Sequence, residues 1–243
     1  MSEAVLRAEA ITHRFDGATA LESVDLSVAP GSLVAVVGPN GSGKTTLLRV
    51  LVGLLRPSDG RVARPHVRRG RPVGYLPQHP RFRPGFTARE TLAFYARLVD
   101  APEGAPDRLL GRVGLAEAAD RRVEALSGGM RGLLGVAQAL VGDPPVVVLD
   151  EPTTGLDPGM RRRIFGVLDE LVDDGRGVLV ASHDLDRVDR GADRVVVLDA
   201  GRVVTEGTPS GLRERFEVDS LEAVYEAAVE SPTGAIRVRR GRS

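Results

Sequence analysis

The sequence predicts an α/β protein organised around a parallel β-sheet. Three observations carry that prediction. Short Val-rich runs at residues 32–38, 144–152 and 177–183 have the continuous apolar character of strands buried on both faces. Segments with helical spacing separate them, as in a sheet whose strands are joined by crossovers. The first run leads through a glycine-rich loop into a helical pattern. In such sheets ligands bind beyond the carboxyl ends of the strands.

In chain order, residues 5–28 alternate in polarity and carry a turn signal at Asp16-Gly17, which predicts antiparallel strands ahead of the first buried one. The run SLVAVVG (32–38) is the first buried strand, and TTLLRVLVGLL (45–55) has the spacing of a helix. Residues 56–65 form a turn region leading to a further strand, and VGYLPQ (73–78) reads as another. Residues 87–140 are helical in pattern. Thr87 and Glu90 fit a capping box ahead of Leu92, Phe94 and Tyr95, and APEGAP (101–106) interrupts the pattern. Residues 193–207 read as a hairpin turning near Ala200-Gly201. There is no internal repeat. The last residues, from Ser231, hold four Arg and no acid, as expected of a solvated, disordered end.

Composition narrows the function. The 243 residues suffice for one large domain or two small ones with an ample core. Lys plus Arg and Asp plus Glu number 33 each, so no global field draws the chain to nucleic acid or a membrane surface. Aromatics make up only 4%, against stacking on single strands. Cysteine is absent, which excludes disulfides and thiolate metal sites and fits a reducing compartment. No apolar run approaches the roughly 20 residues that cross a bilayer, and MSEAVLRAEA lacks a signal-peptide pattern. The expectation is a soluble, cytoplasmic protein whose membrane role, if any, comes through a partner.

The chemistry concentrates at GPNGSGKTT (38–46). Lys44 is the only lysine in a chain otherwise rich in Arg. The loop Gly38, Pro39, Asn40, Gly41, Ser42, Gly43, Lys44, Thr45, Thr46 fits G-x-x-x-x-G-K-[ST], the phosphate-binding P-loop. The glycines let amide N–H groups converge on phosphate at a positive helix end. A compact ammonium slips between phosphates where a guanidinium is too bulky. Lys44 is therefore the expected ligand of β- and γ-phosphates, and Thr45 offers a hydroxyl to Mg²⁺. VVVLDE places Asp150 and Glu151 at a strand's carboxyl end. Asp150 is expected to hold Mg²⁺, and Glu151 to orient or deprotonate a water that attacks the γ-phosphate. LSGGM (126–130) leads into a helix with Ser127 near its N-cap. Its free amides and hydroxyl offer a second phosphate site, or a plain cap. One nucleotide does not need two such sites, so the second is assigned to a neighbouring chain, with two copies packed head-to-tail around two ATP.

P-loop, LSGG, VVVLDEP and SHD, in that order over about residues 5–211, resemble the ATP-binding subunit of ABC transporters. The resemblance implies a P-loop NTPase fold: a RecA-like parallel sheet core, an antiparallel β subdomain and an α-helical subdomain at about 86–140. The ATP-binding domain would occupy 1–215, with a C-terminal extension at 216–243. Phe15 is similar to the aromatic that stacks on adenine, usually Tyr in the family, or is a strand core residue. Gln78 resembles the glutamine that touches Mg²⁺ and water and links the site to a membrane partner. Ser127, Gly128 and Gly129 would cap the neighbour's nucleotide. Asp157 resembles the acid that crosses the dimer, and His183 the switch histidine at the γ-phosphate. Met130 stands where the family usually has Gln, and Gly132, Leu133 and Leu134 replace a commonly polar and basic run, so the surface of that helix departs from the pattern.

The implied function is an ATP-hydrolysing motor, as a homodimer or paired with another ATPase subunit, that uses ATP and Mg²⁺ to drive a multi-span membrane permease from the inner face of the membrane. The 126–140 run and SLEAVYEAAV (220–229) lean to export. The alternative is a soluble ATPase of the same family without a channel, such as an iron–sulfur-assembly scaffold motor. The stretch between Lys44 and Asp150 is too short for the coiled coil of DNA-repair relatives. With its only lysine in the P-loop, the chain has no guanine-specific N-K-x-D motif, and a small-molecule kinase does not explain LSGG.

Overall fold

The structure, a computed structural model, describes residues 4–230; the basic tail predicted to be a solvated end lies outside the described residues. Two sheets form the scaffold. β1 (Leu6–Phe15) and β2 (Ala18–Val28) form a hairpin, and β4 (Asp59–Ala63) joins the other edge of β1, all antiparallel. The hairpin turns at Asp16 and Gly17, with φ 44° and 88°. Paired positive φ values define the I′ turn that matches strand twist, which is what an Asp-Gly pair favours.

The main sheet has the order β5-β6-β7-β3-β8-β9. β3 (Ser32–Val37), β5 (Val73–Leu76), β6 (Val146–Asp150), β7 (Gly177–Ala181) and β8 (Arg194–Asp199) are parallel, and β9 (Arg202–Gly207) closes the edge antiparallel. The β8–β9 turn falls at Ala200 and Gly201, φ 45° and 78°, where the sequence predicts it.

The unbroken apolar runs follow from burial on both faces. Leu33, Ala35 and Val37 face one core while Val34 and Val36 face another; Val147 and Leu149 are likewise divided from Val146 and Val148. The first core is covered by helices. α2 (Ala88–Leu98), α3 (Ala105–Val113), α4 (Gly128–Ala139) and α5 (Pro158–Asp173) all contribute buried residues to it. Leu221 and Val224 of α8 (Leu221–Glu230) join the same core, beside α6 (Leu185–Gly191) and α7 (Pro209–Phe216). The second core packs the three-stranded sheet and α1 (Lys44–Val52) against the opposite face. Each buried Val or Leu is worth about 1.5–3 kcal/mol, so the two layers clamp the sheet and fix the carboxyl ends of its strands.

The capping box at α2 is complete. Thr87 Oγ1 accepts from Glu90 N at 3.1 Å, and Glu90 Oε2 accepts from Thr87 N at 2.8 Å. The first helix is shorter than its apolar pattern, ending at Val52 rather than Leu55. Gly53 takes a left-handed φ of 87° and donates to Arg49 O and Val50 O, while Arg64 donates to the carbonyls of Val50 and Leu51. This cap satisfies the helix's last acceptors and leaves Leu54 exposed.

Candidate functional site

The site begins where β3 ends. Gly38 leaves the strand so close to β8 that a Cβ there would overlap the Leu198 carbonyl oxygen. Gly43 has φ 105°, and a Cβ on it would lie 2.7 Å from the Ala20 carbonyl oxygen. No L side chain fits both constraints, so the loop is built to bring backbone N–H groups, not side chains, to its mouth. The turn after β8 braces it from outside: Gly201 N donates to Ser42 O at 2.9 Å.

Lys44 opens α1. Its Nζ donates to Gly38 O (2.7 Å) and Pro39 O (3.1 Å), so the ammonium curls over its own loop. Burial lowers its pKa, and the nearby Glu151 and Asp150 charges oppose that shift. Thr45, one residue on, donates from Oγ1 to Asp150 Oδ1 at 3.3 Å.

Asp150 ends β6 and is buried. Burial raises its pKa; the Thr45 hydroxyl and the Arg49 and Lys44 charges pull it back. Its Oδ2 is buried without a partner among the described residues. Glu151, 5% exposed, turns out of the strand at φ 52°. A non-glycine residue there costs about 1–3 kcal/mol, a strain typical of functional positions. The peptide is held by a bond from Glu151 N to Ala181 O, 3.0 Å. Glu151 Oε1 lies 2.9 Å from His183 Nε2, and Oε2 accepts from Thr154 Oγ1 at 3.3 Å. Burial again raises the Glu151 pKa, against His183 and Lys44, which lower it.

A cavity of about 270 Å³ is lined by residues 40–46 with Gln78, Glu151, His183 and Ala20; Asp150 does not line it and meets it through Thr45. Gly38 is buried beneath it and Pro39 is half-buried at its edge. A second cavity of about 200 Å³ shares Gln78 and Glu151 and extends to Gly128, at the start of α4. The remaining predicted residues are not among those lining the first cavity. Ser127 is the exposed N-cap of α4 and accepts from Met130 N at 3.2 Å. Gly129 is buried under the Met160 side chain. Asp157 is the exposed N-cap of α5 and accepts from Met160 N at 3.0 Å. Phe15, 45% exposed, ends β1 edge-on to His13. Within one chain, then, the structure gathers the P-loop, Gln78, Asp150, Glu151 and His183, and leaves Ser127 and Asp157 facing outward.

The donor set suits Mg²⁺. A hydroxyl at Thr45, the orphaned Asp150 carboxylate oxygen and the Gln78 amide are hard oxygen donors beside a phosphate cradle. No group of three or more His, Cys, Asp or Glu among the described residues could hold a metal, and a magnesium completed by phosphate and water does not need one.

Two contributors escape a reading of motifs. Thr154 holds Glu151 from within an otherwise unremarked TTG turn, where its position three residues on was the only signal. Ala20 reaches the loop from β2 by tertiary packing alone, and no local pattern marks it.

The comparisons agree with this geometry. Residues 21–154 match the family described as ABC transporter. The chain is 38% identical over 239 residues to a daunorubicin resistance ATP-binding protein, DrrA3, of Streptomyces coeruleorubidus, covering 94% of this chain and 76% of that protein. It is 37% identical over 224 residues to a Nod factor export ATP-binding protein I of Paraburkholderia xenovorans (strain LB400), covering 87% and 73%. Among solved structures, an ATP-binding subunit of an ABC transporter superposes with TM-score 0.82 at 27% identity, covering 92% of this chain and 99% of that one. A dimeric bacterial ABC transporter cassette gives 0.74 at 27%, covering 84% and 98%. A triphosphate cradle beside a strained glutamate, on this fold and with these relatives, makes the chain a member of the ABC transporter family, an ATP-binding subunit with ATPase activity.

Proposed function

We propose that this chain is the motor of an exporter: two copies, or this chain and a paired ATPase subunit, close head-to-tail on two ATP·Mg²⁺ and drive a separate multi-span permease. The observation that carries the reading is the division of the motifs. The P-loop cavity is complete for one face of a triphosphate, while Ser127 opens a helix N-terminus outward, where a second chain's nucleotide can meet it. The names of the relatives, for drug resistance and Nod factor export, support export as the direction. Among the described residues no helix is long and apolar enough to cross a membrane, so transport by this chain requires a membrane partner. The helices between Gln78 and Leu126 form the subdomain that grips it.

In this reading the P-loop amides and Lys44 hold the phosphates, and Phe15 stacks on adenine. Thr45, Asp150 and Gln78 would hold Mg²⁺, which neutralises phosphate charge when bound. Glu151, held by the Thr154 hydroxyl and with His183 beside it, takes the proton of the attacking water, and His183 also reaches the γ-phosphate. Phosphoryl transfer asks for positioning and charge neutralisation more than covalent help, and these residues would supply both.

The test is capture from native membranes. After mild cross-linking and detergent extraction, the tagged chain should bring down a multi-span polypeptide. Recovery only in the soluble fraction, with no membrane polypeptide attached, would favour the alternative, a channel-free scaffold ATPase.

A further inference from the structure

His13 belongs to none of the motifs, yet it links Phe15 to the segment that follows α1. It lies on β1 two residues before Phe15 and is 8% exposed, whereas Phe15 is 45% exposed. The β1–β2 register is interrupted on both sides of His13. The two rings stand 4.4 Å apart between centroids at an interplanar angle of 79°. This edge-to-face arrangement is the favoured aromatic geometry.

The His13 ring is itself anchored. Nδ1 is 3.1 Å from the Arg56 carbonyl oxygen. A carbonyl only accepts, so Nδ1 carries the proton of that bond. Nε2 is buried with no partner among the described residues. Arg56 lies in the segment that leaves α1, the helix opened by Lys44 and Thr45. The same segment is stitched to β1 twice more: Ser58 N donates to Thr12 O (2.8 Å), and Arg14 N donates to Ser58 Oγ (3.1 Å). One buried ring therefore ties the exposed aromatic to the body that carries the phosphate loop.

We propose that His13 is a positioning residue for recognition of the nucleotide base: its buried ring holds Phe15 at a fixed place relative to the P-loop, with the Phe15 face free to stack. The proposal rests on the assignment of Phe15 as the adenine platform. An exposed phenyl ring that swings freely must be immobilised when a base stacks on it, and that cost comes out of affinity. A ring already held from behind has lost that freedom. The contribution is specific to ligands with a base.

The experiment is equilibrium binding of Mg·ATP and of inorganic tripolyphosphate to the full chain, with wild type, His13→Ala, Phe15→Ala, the double variant and His13→Phe. His13→Ala should weaken ATP binding about two- to tenfold, the range of one aromatic pair, and leave tripolyphosphate unchanged. In the Phe15→Ala background it should add nothing. His13→Phe keeps a ring behind Phe15 and should restore most of the affinity for ATP. Equal losses for ATP and tripolyphosphate would mean a merely structural histidine and overturn the proposal, as would additive effects of His13→Ala and Phe15→Ala. If His13→Ala does not fold, His13→Phe decides: a folded variant that loses as much ATP affinity as Phe15→Ala overturns it. Should Phe15→Ala bind ATP as wild type does, it is the stacking assignment that falls, a result distinct from failure of the coupling alone.

Discussion

Glu151 Oε1 lies 2.9 Å from His183 Nε2, across the gap between the ends of β6 and β7. One residue is buried and strained at φ 52°, and the other is about half exposed at the mouth of the cavity. Burial destabilises the carboxylate, and the histidine and Lys44 offset it. In the proposed function this pair supplies the base and the group that orients it.

Glu151→Gln should lower kcat for ATP by on the order of 10²–10³ while preserving ATP affinity, a typical loss for one general-base or electrostatic group. Steady-state hydrolysis and equilibrium binding check it. Turnover near wild type would remove Glu151 from the role of base.

The same substitution removes a buried carboxylate that costs the empty protein stability. Glu151→Gln and Asp150→Asn should each raise the melting temperature without nucleotide by about 2–4 °C, the shift that about 1 kcal/mol of stability gives a chain of this size. Thermal unfolding in metal-free buffer measures it. An unchanged or lowered Tm in both variants would contradict the electrostatic description.

The pH dependence has a definite sign. Asp150 and Glu151 have pKa values raised above their ordinary ones by burial. Between the unfolded and folded values the native state holds more protons, so these groups favour folding at low pH, and that contribution is lost as pH rises through the folded values. Activity runs the other way, because the base must be ionised. The acid limb of kcat/KM against pH, which reports the free enzyme, should lie above the ordinary carboxylate range, and the melting temperature of Glu151→Gln should vary less with pH across that window than that of wild type.

Thr87→Ala removes the hydroxyl half of the α2 capping box while Glu90 remains. It should cost about 1 kcal/mol, within the range of about 0.5–2 for N-cap losses. ATP binding to the isolated chain should be unaffected, because α2 contributes nothing to the P-loop cavity. Urea unfolding and ATP titration together distinguish this from a site defect.

Much of the fold was legible because its signals are local. The Asp16-Gly17 and Ala200-Gly201 turns, the Thr87–Glu90 box and the Val-rich strands each state their geometry within a few residues. The helix that stops at Val52 was not legible to its end, because its cap combines Gly53 with Arg64 from beyond the next turn. The positions of the P-loop, Asp150 and Glu151 at the carboxyl ends of strands were readable from spacing. Ala20, Thr154 and His13 were not. Their roles arise from tertiary approach: a carbonyl that crowds Gly43, a hydroxyl on Glu151 Oε2, a ring behind Phe15.

The absence of cysteine from the sequence permits a direct measurement of the shared site. Asn40→Cys and Ser127→Cys, made in separate Glu151→Gln chains and mixed, should be joined by a short bifunctional thiol reagent into a dimer on denaturing gels. The dimer should form with ATP and Mg²⁺ and be absent without nucleotide. No cross-linked dimer with ATP, in chains shown to bind it, would contradict the head-to-tail arrangement and leave Ser127 as a plain helix cap.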